Sequence, residues 1–171
     1  AEYTDYREEF TRAWNPRQVN KNTIQFFGQQ WMMQALANLP AIAAHATLSD
    51  LRDKFVNLPM VIISPGPSLD KNIHLLKQLK GKALLMAPAQ SALALSCAGV
   101  VPDVIVVADP ADHLYLVDGF PMDRVEALLL SVTCHPAFYE KFPGKIITFN
   151  GNAGIDNWIS DIFHDTTAIG S

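Results

Sequence analysis

The residues of this sequence best suited to chemistry stand directly behind short apolar runs. Ser64-Pro65-Gly66-Pro67-Ser68-Leu69-Asp70 follows the first such run. Gly66 admits a sharp bend and close backbone approach, and Ser68 or Asp70 can cap a following helix whose free amides would face a phosphate. The same residues serve equally as a tight turn without a ligand. Pro88-Ala89-Gln90-Ser91 follows the second run and offers Gln90 and Ser91 as polar contacts. Asp109-Pro110-Ala111-Asp112-His113 follows the third. Asp109 is placed to hold a ribose, a base or a metal, or simply to form a turn. The spacing of Asp109, Asp112 and His113 matches no strong ligand motif, so no metal is assigned. Thr133-Cys134-His135-Pro136 follows the fourth run. Histidine as a residue type exchanges protons near neutral pH, which makes His135 a candidate general acid or base. The alternative is that it only precedes a helix begun by Pro136. Cys134 reads as a small buried residue rather than a nucleophile. Asn150-Gly151-Asn152 follows the fifth run and suits a sugar, a nucleotide or a plain turn.

Two common nucleotide sites are missing. The first loop is not GxGxxG and no acidic residue follows the second run, which argues against a nicotinamide-dependent dehydrogenase. No GxxxxGK[ST] run is present, which argues against a P-loop kinase.

The elements that must position these residues are legible from periodicity. The five runs, 60–64, 83–87, 104–108, 127–132 and 145–149, are apolar throughout, as strands buried on both faces are. Helical stripes separate them. Leu69, Ile73, Leu76 and Leu79 form one that Gly81 ends; 92–98 forms another that Gly99 ends. The segment 136–142 opens on a proline, and Ile155, Trp158, Ile159, Ile162 and Phe163 make the last stripe. Strand–helix alternation at this spacing predicts an α/β domain: a Rossmann-like parallel sheet with helices on both faces. In such a sheet every carboxyl strand end lies along one edge, where ligands bind.

Before residue 59 the pattern is helical. Tyr3, Tyr6, Phe10 and Trp14 recur at helical spacing up to Asn15-Pro16. Ile24, Phe27, Trp31 and Ala35 form a second stripe that Pro40 is expected to end, and Asp50 is expected to cap a short helix burying Leu51 and Phe55. The expected organisation is a helical lead-in over 1–58, with its boundary at Asn57-Leu58-Pro59, and a sheet domain over 59–171. The aromatic stripes read as packing surface, against the core or against another copy in a homo-oligomer.

Bulk properties fit this picture. The 171 residues are 49% hydrophobic and 18% charged, with a formal net charge of −4. There is no basic excess to hold a nucleic-acid backbone, so no nucleic-acid partner is expected. Cys97 and Cys134 are too few for a disulfide framework and fit a reducing cytoplasm. No apolar run is long enough to span a membrane, and no membrane partner is expected. The absent starting Met and the ending at Ile169-Gly170-Ser171 suggest a fragment of a longer chain.

The segment Val61-Ile62-Ile63-Ser64-Pro65-Gly66-Pro67-Ser68-Leu69-Asp70-Lys71-Asn72-Ile73 resembles the GPSLDKN opening of one family. It comprises the MptE-like 6-hydroxymethylpterin diphosphokinases and the bacterial motility accessory factors (Maf proteins). Further blocks follow in order. Ala92-Leu93 lies in the helix after the second strand. Gly99-Val100-Val101-Pro102-Asp103 is similar to an AGIKPD turn, and Val106-Val107-Ala108-Asp109-Pro110 to a VSIDP strand end. Gly170-Ser171 is similar to the start of a GS-V segment. The helical lead-in, with Asn38-Leu39-Pro40 and Ser49-Asp50-Leu51, is like the Maf side. The resemblance covers roughly Pro59 to Ser171.

For function, the resemblance implies transfer of a nonulosonic (sialic-like) acid from a CMP-activated donor to Ser or Thr of flagellin, on a Rossmann-like core similar to sialyltransferases. Gly66, Pro67 and Ser68 would then line the nucleotide phosphate, with Asp70, Gln90, Ser91, Asn150, Gly170 and Ser171 as further contacts. Asp109 would face the donor. From the residues themselves, the base would be His135 or a residue outside this sequence. Where the family leads us to expect a small or hydroxyl residue after the second strand, this chain has Pro88-Ala89-Gln90. The alternative reading is a pterin-alcohol diphosphokinase using ATP and magnesium, with Asp109 and Asp112 as the nearest carboxylate pair. A third is a non-catalytic nucleotide-binding or assembly module.

Overall fold

The computed structural model describes residues 16–151 and 154–163. The Tyr3–Trp14 stripe, Asn152 and the terminal Gly170-Ser171 lie outside them.

The chain enters through one long helix, α1 (Pro16–Ala44). Pro16 opens it, at a position where a missing N–H costs little. Pro40 does not end it: the helix continues a further turn, to Ala44. A proline inside a helix removes one backbone bond and crowds the preceding turn. Here it faces solvent, while Ile42 beyond it is buried in the main core and holds the last turn in place.

A two-residue strand, β1 (Ala46–Thr47), follows; it is too short to show any periodicity. The next four residues, Leu48–Leu51, form a 3-10 turn. Asp50 acts at this turn's third position rather than at its cap: its Oδ2 accepts the Thr47 amide (2.8 Å) and hydroxyl (3.2 Å). Leu51 packs on the sheet, but Phe55 remains 44% exposed, outside the core expected for it.

Five strands complete the sheet: β2 (Met60–Ile62), β3 (Leu84–Pro88), β4 (Val104–Val107), β5 (Ala127–Ser131) and β6 (Lys145–Phe149). Each lies within a residue or two of an expected run. Every pairing is parallel, and the order is β1-β6-β5-β4-β3-β2. The connecting helices are α2 (Pro67–Leu76), α3 (Ala92–Cys97) and α4 (Ala137–Lys141), and α5 (Gly154–Phe163) follows β6. Gly81 and Gly99, at φ +78 and +65, take the left-handed conformation that follows the second and third helices.

The helical cover is uneven. From β2 to β6 each crossover steps one strand in the same direction, and crossovers of one hand then put their helices on one face. Buried residues of all five α-helices, among them Ala35, Leu69, Leu95, Phe138 and Ile159, join a single core with Leu85, Ile105, Leu128 and Leu130. The other face presents Ala127, Leu129, Ile147 and Phe149, met by Leu48 and Leu51 of the 3-10 turn. An apolar groove of about 620 Å³ lies along it among the described residues.

Asp103 shows why the turn before β4 is built as it is. Its Oδ2 accepts the Leu85 amide at 2.8 Å, its own amide donates to Leu85 O at 2.8 Å, and it pairs with Lys80. This fastens β4 to β3 at the edge opposite the candidate site.

Candidate functional site

Parallel pairing throughout sets the loops after β2 to β6 along one edge. Neighbouring strands lie about 4.8 Å apart, so the loop after β2 and the end of β6 are separated by four spacings, roughly 19 Å. The residues expected to act are therefore arrayed along this edge rather than gathered at a point.

At the β2 end, Gly66 is extended (φ −150, ψ 168) and caps α2, and a Cβ there would meet nothing within 4 Å. The space expected beside it is open. Pro67 has no N–H, and the Leu69 amide turns back to Gly66 O at 2.8 Å, so few amides of this turn are left to face an anion. Ser68 and Asp70 are exposed. The Asp70 carboxylate favours the helix dipole but repels a phosphate. After β3, Gln90 is exposed, whereas Ser91 is fully buried with its Oγ 3.4 Å from Ile63 O. Ser91 thus joins the second loop to the first and faces inward.

After β4, Asp109 Oδ1 accepts the Ala111 amide at 2.8 Å and lies 3.6 Å from His113 Nε2. Asp112 Oδ1 accepts the Leu114 amide at 3.3 Å. Both carboxylates shape their own loop. After β5, His135 Nδ1 accepts the Ala137 amide at 3.4 Å, which leaves Nε2 for any proton transfer. Burial pushes the Cys134 thiol up to about 12, partly offset by a backbone hydrogen bond, so this thiol stays protonated. After β6, Asn150 is buried and its Nδ2 donates to Ser160 Oγ at 2.7 Å, which ties the strand end to α5.

A cavity of about 350 Å³ opens on this edge, over the ends of β4, β5 and β6. Its described walls are Thr23, Ile24 and Trp31 of α1, Ala108 and Pro110 after β4, Ser131 and Thr133, Phe149 and Gly151, and Asp156 of α5. Three residues of the loops quoted from sequence line it, Pro110, Thr133 and Gly151, but among the described residues the expected contacts Gly66, Ser68, Gln90, Asp109, His135 and Asn150 do not. Ser131 and Thr133 are two apart, and their hydroxyls meet at 2.9 Å. Asp156 is 2% exposed in the first turn of α5, where the helix dipole favours a carboxylate. A Cβ on Gly151 would stand 3.0 Å from Asp156 Oδ2, so glycine leaves that oxygen its room.

Helix α1 forms the roof, and buried amide side chains hold it there. Gln34 Nε2 donates to Pro110 O at 2.8 Å. Asn38 Nδ2 donates to both Val132 O and Cys134 O at 2.9 Å. Trp31 stacks on Phe27 with ring centroids 6.2 Å apart, and its buried indole N–H meets no acceptor among the described residues. Thr133 stands in a segment already quoted from sequence, and Ser131 was within reach, since it is the polar residue that ends a five-residue buried strand. Trp31 and Asp156 were not, because each reads as one more member of a helical stripe.

The family model described as "6-hydroxymethylpterin diphosphokinase MptE-like" matches residues 33–171. The chain belongs to the MptE-like family. An uncharacterized protein of Treponema pallidum (strain Nichols) is 28% identical over 80 residues, which are 47% of this chain and 27% of that protein. Among solved structures, a Maf glycosyltransferase from Magnetospirillum magneticum AMB-1 aligns with 56% of this chain and 16% of its own, at 19% identity and a TM-score of 0.48. The chain thus spans well under half the length of either protein. Its MptE-like match includes the GPSLDKN loop, the whole sheet from β1 onward and the part of α1 that carries Gln34 and Asn38.

Proposed function

We propose that this MptE-like chain is the nucleotide-sugar-binding core of a transferase. The favoured activity is a glycosyltransferase moving a nonulosonic acid from a CMP-activated donor to Ser or Thr of flagellin. The observation that carries this reading is the cavity over β4–β6. Its described walls offer three hydroxyls, an indole and a buried carboxylate, but no Lys, Arg or His. Such a lining suits hydroxylated, uncharged parts of a ligand better than a triphosphate. The phosphate would lie outside it, toward Gly66 and Ser68, where the space beside Gly66 is open.

In the transfer, the acceptor hydroxyl oxygen bonds to the anomeric carbon as the bond from that carbon to the phosphate oxygen breaks. CMP leaves with the electron pair. His135 Nε2 is the candidate to take the hydroxyl proton, its Nδ1 being held by Ala137. The larger catalytic need is to stabilise the charge left on the phosphate, and backbone donors of loop 64–70 are the candidates for it.

The family description favours a second reading, ATP- and magnesium-dependent pyrophosphoryl transfer to a pterin alcohol. Asp109 and Asp112 would be its metal ligands, and each already uses one oxygen to bond its own loop. Calorimetry on the chain separates the two. CMP binding without added metal supports the sugar transferase; ATP binding that needs magnesium supports the diphosphokinase. No binding of either nucleotide points to a non-catalytic module. Gly66→Val should abolish nucleotide binding, and unchanged affinity would refute the placement of the phosphate.

A further inference from the structure

We propose that the outer face of α1 is a self-association surface, on which a second copy of this chain lays its own α1 antiparallel across a two-fold axis. This is independent of the nucleotide reading.

Helix α1 carries packing residues on two sides. Its inner side, with Trp31, Ala35, Asn38 and Ile42, is buried or half-buried against the domain. On the opposite side Phe26, Gln29, Met33 and Leu36 succeed one another at steps of three and four residues, the spacing of a coiled-coil seam, and all four are exposed. Phe26 is 80% exposed, Met33 60% and Leu36 42%. A helix lying on a domain ordinarily turns charged residues toward water. Here no Asp, Glu, Lys, Arg or His occurs from Asn22 to Ala44. A helix apolar on both sides is suited to burial on both, and the described residues leave the outer one open.

The seam fits itself. In an antiparallel pairing centred level with Trp31, Phe26 meets the partner's Leu36 and Met33 meets the partner's Gln29. A two-fold axis makes each contact twice. Because the face is uncharged, two copies set no like charges against each other. Antiparallel order also opposes the helix dipoles. It brings the exposed Lys21 toward the partner's last turn, where α1 has no basic residue of its own.

The area is sufficient for a reversible dimer. Phe26, Met32, Met33 and Leu36 together expose roughly 400 Å² per copy, and with the flanking Gln29, Ala37 and Pro40 a pair buries about 1,000 Å², near the lower bound for a specific interface. The same helix roofs the cavity through Gln34 and Asn38, so each copy steadies the other's site.

The test is sedimentation velocity with light scattering on the whole chain, over about a thousandfold range of concentration. The mass should rise from one chain to two. Met33→Glu puts a carboxylate in mid-seam, where pairing would desolvate it, and should shift the association midpoint at least about tenfold. Helix content and unfolding of the dilute protein should not change, because Met33 faces solvent in the single chain. Orientation is read by oxidation in a Cys97→Ser background, which removes the exposed thiol. Phe26→Cys and Leu36→Cys chains should cross-link when mixed, and neither should cross-link alone.

A chain that stays at one mass throughout overturns the proposal and leaves the face to a different occupant. Association that survives Met33→Glu also overturns it; loss in Leu51→Glu would then assign the contact to the bare face of the sheet. Cross-linking of Leu36→Cys by itself overturns the antiparallel order.

Discussion

Cys134 and Tyr139 lie side by side beneath the site, and both are held protonated. Burial raises Cys134 from its ordinary 9.0 to about 12. Burial, and then the neighbouring Cys134, raise Tyr139 well above its ordinary 10.0. The folded state therefore binds these protons more tightly than the unfolded state. Their contribution to stability is complete below pH 9 and is lost as pH rises from about 9 toward 12. Urea unfolding followed across that range should show a midpoint that falls with pH, and Cys134→Ala should make the fall shallower. A thiol reagent at pH 8 should modify only the exposed Cys97 in the native chain and both cysteines once it is unfolded. At this scale the sequence was informative about residue type: Cys134 read as buried and proved so. Ser91 read as a ligand contact and instead braces Ile63. A serine after a strand looks the same in either role, and only the direction of its side chain separates them.

At the scale of elements, α1 carries the most structural consequence. Asn38→Ala would leave the carbonyls of Val132 and Cys134 without their buried donor, which should cost about 2–4 kcal/mol in denaturant unfolding. The site should loosen with it, because those carbonyls follow β5 directly. Pro40 is exposed within the same helix. Pro40→Ala restores a backbone donor and should raise the melting temperature, with a gain of up to about 3 kcal/mol. A fall in stability would mean that the proline sets a bend needed to seat Ile42. The strands were legible because parallel strands carry unbroken apolar runs, although on the face without α-helices Met60 and Ile62 of β2 remain exposed. The end of α1 was not, because proline's local penalty is outweighed by the burial of Ile42, which no window of sequence displays.

For the whole molecule, the unequal faces of the sheet matter most. One face is closed by five helices; the other leaves an apolar groove of about 620 Å³ among the described residues. An apolar dye such as ANS should bind the native chain there, and Leu51→Glu, which puts a charge on the groove wall, should reduce the signal without lowering helix content. Equal dye binding by both proteins would place the accessible apolar surface elsewhere, with Phe26, Ile24 and Met33 of α1, which are 80%, 57% and 60% exposed, as the alternative.

Local sequence determined the alternation of buried strands and helices, and with it the parallel sheet and its loop-bearing edge. Those follow from chain stiffness, turn residues and apolar periodicity, which act over a handful of neighbours. Tertiary structure alone decided the cavity. Contacts such as Gln34 to Pro110, 76 residues apart, lay α1 over the strand ends and bring Trp31 to Ser131 and Asp156. Strand order likewise sent all the α-helices to one face. Both outcomes depend on how whole elements pack, and packing partners far apart in the chain leave no mark on each other's local pattern.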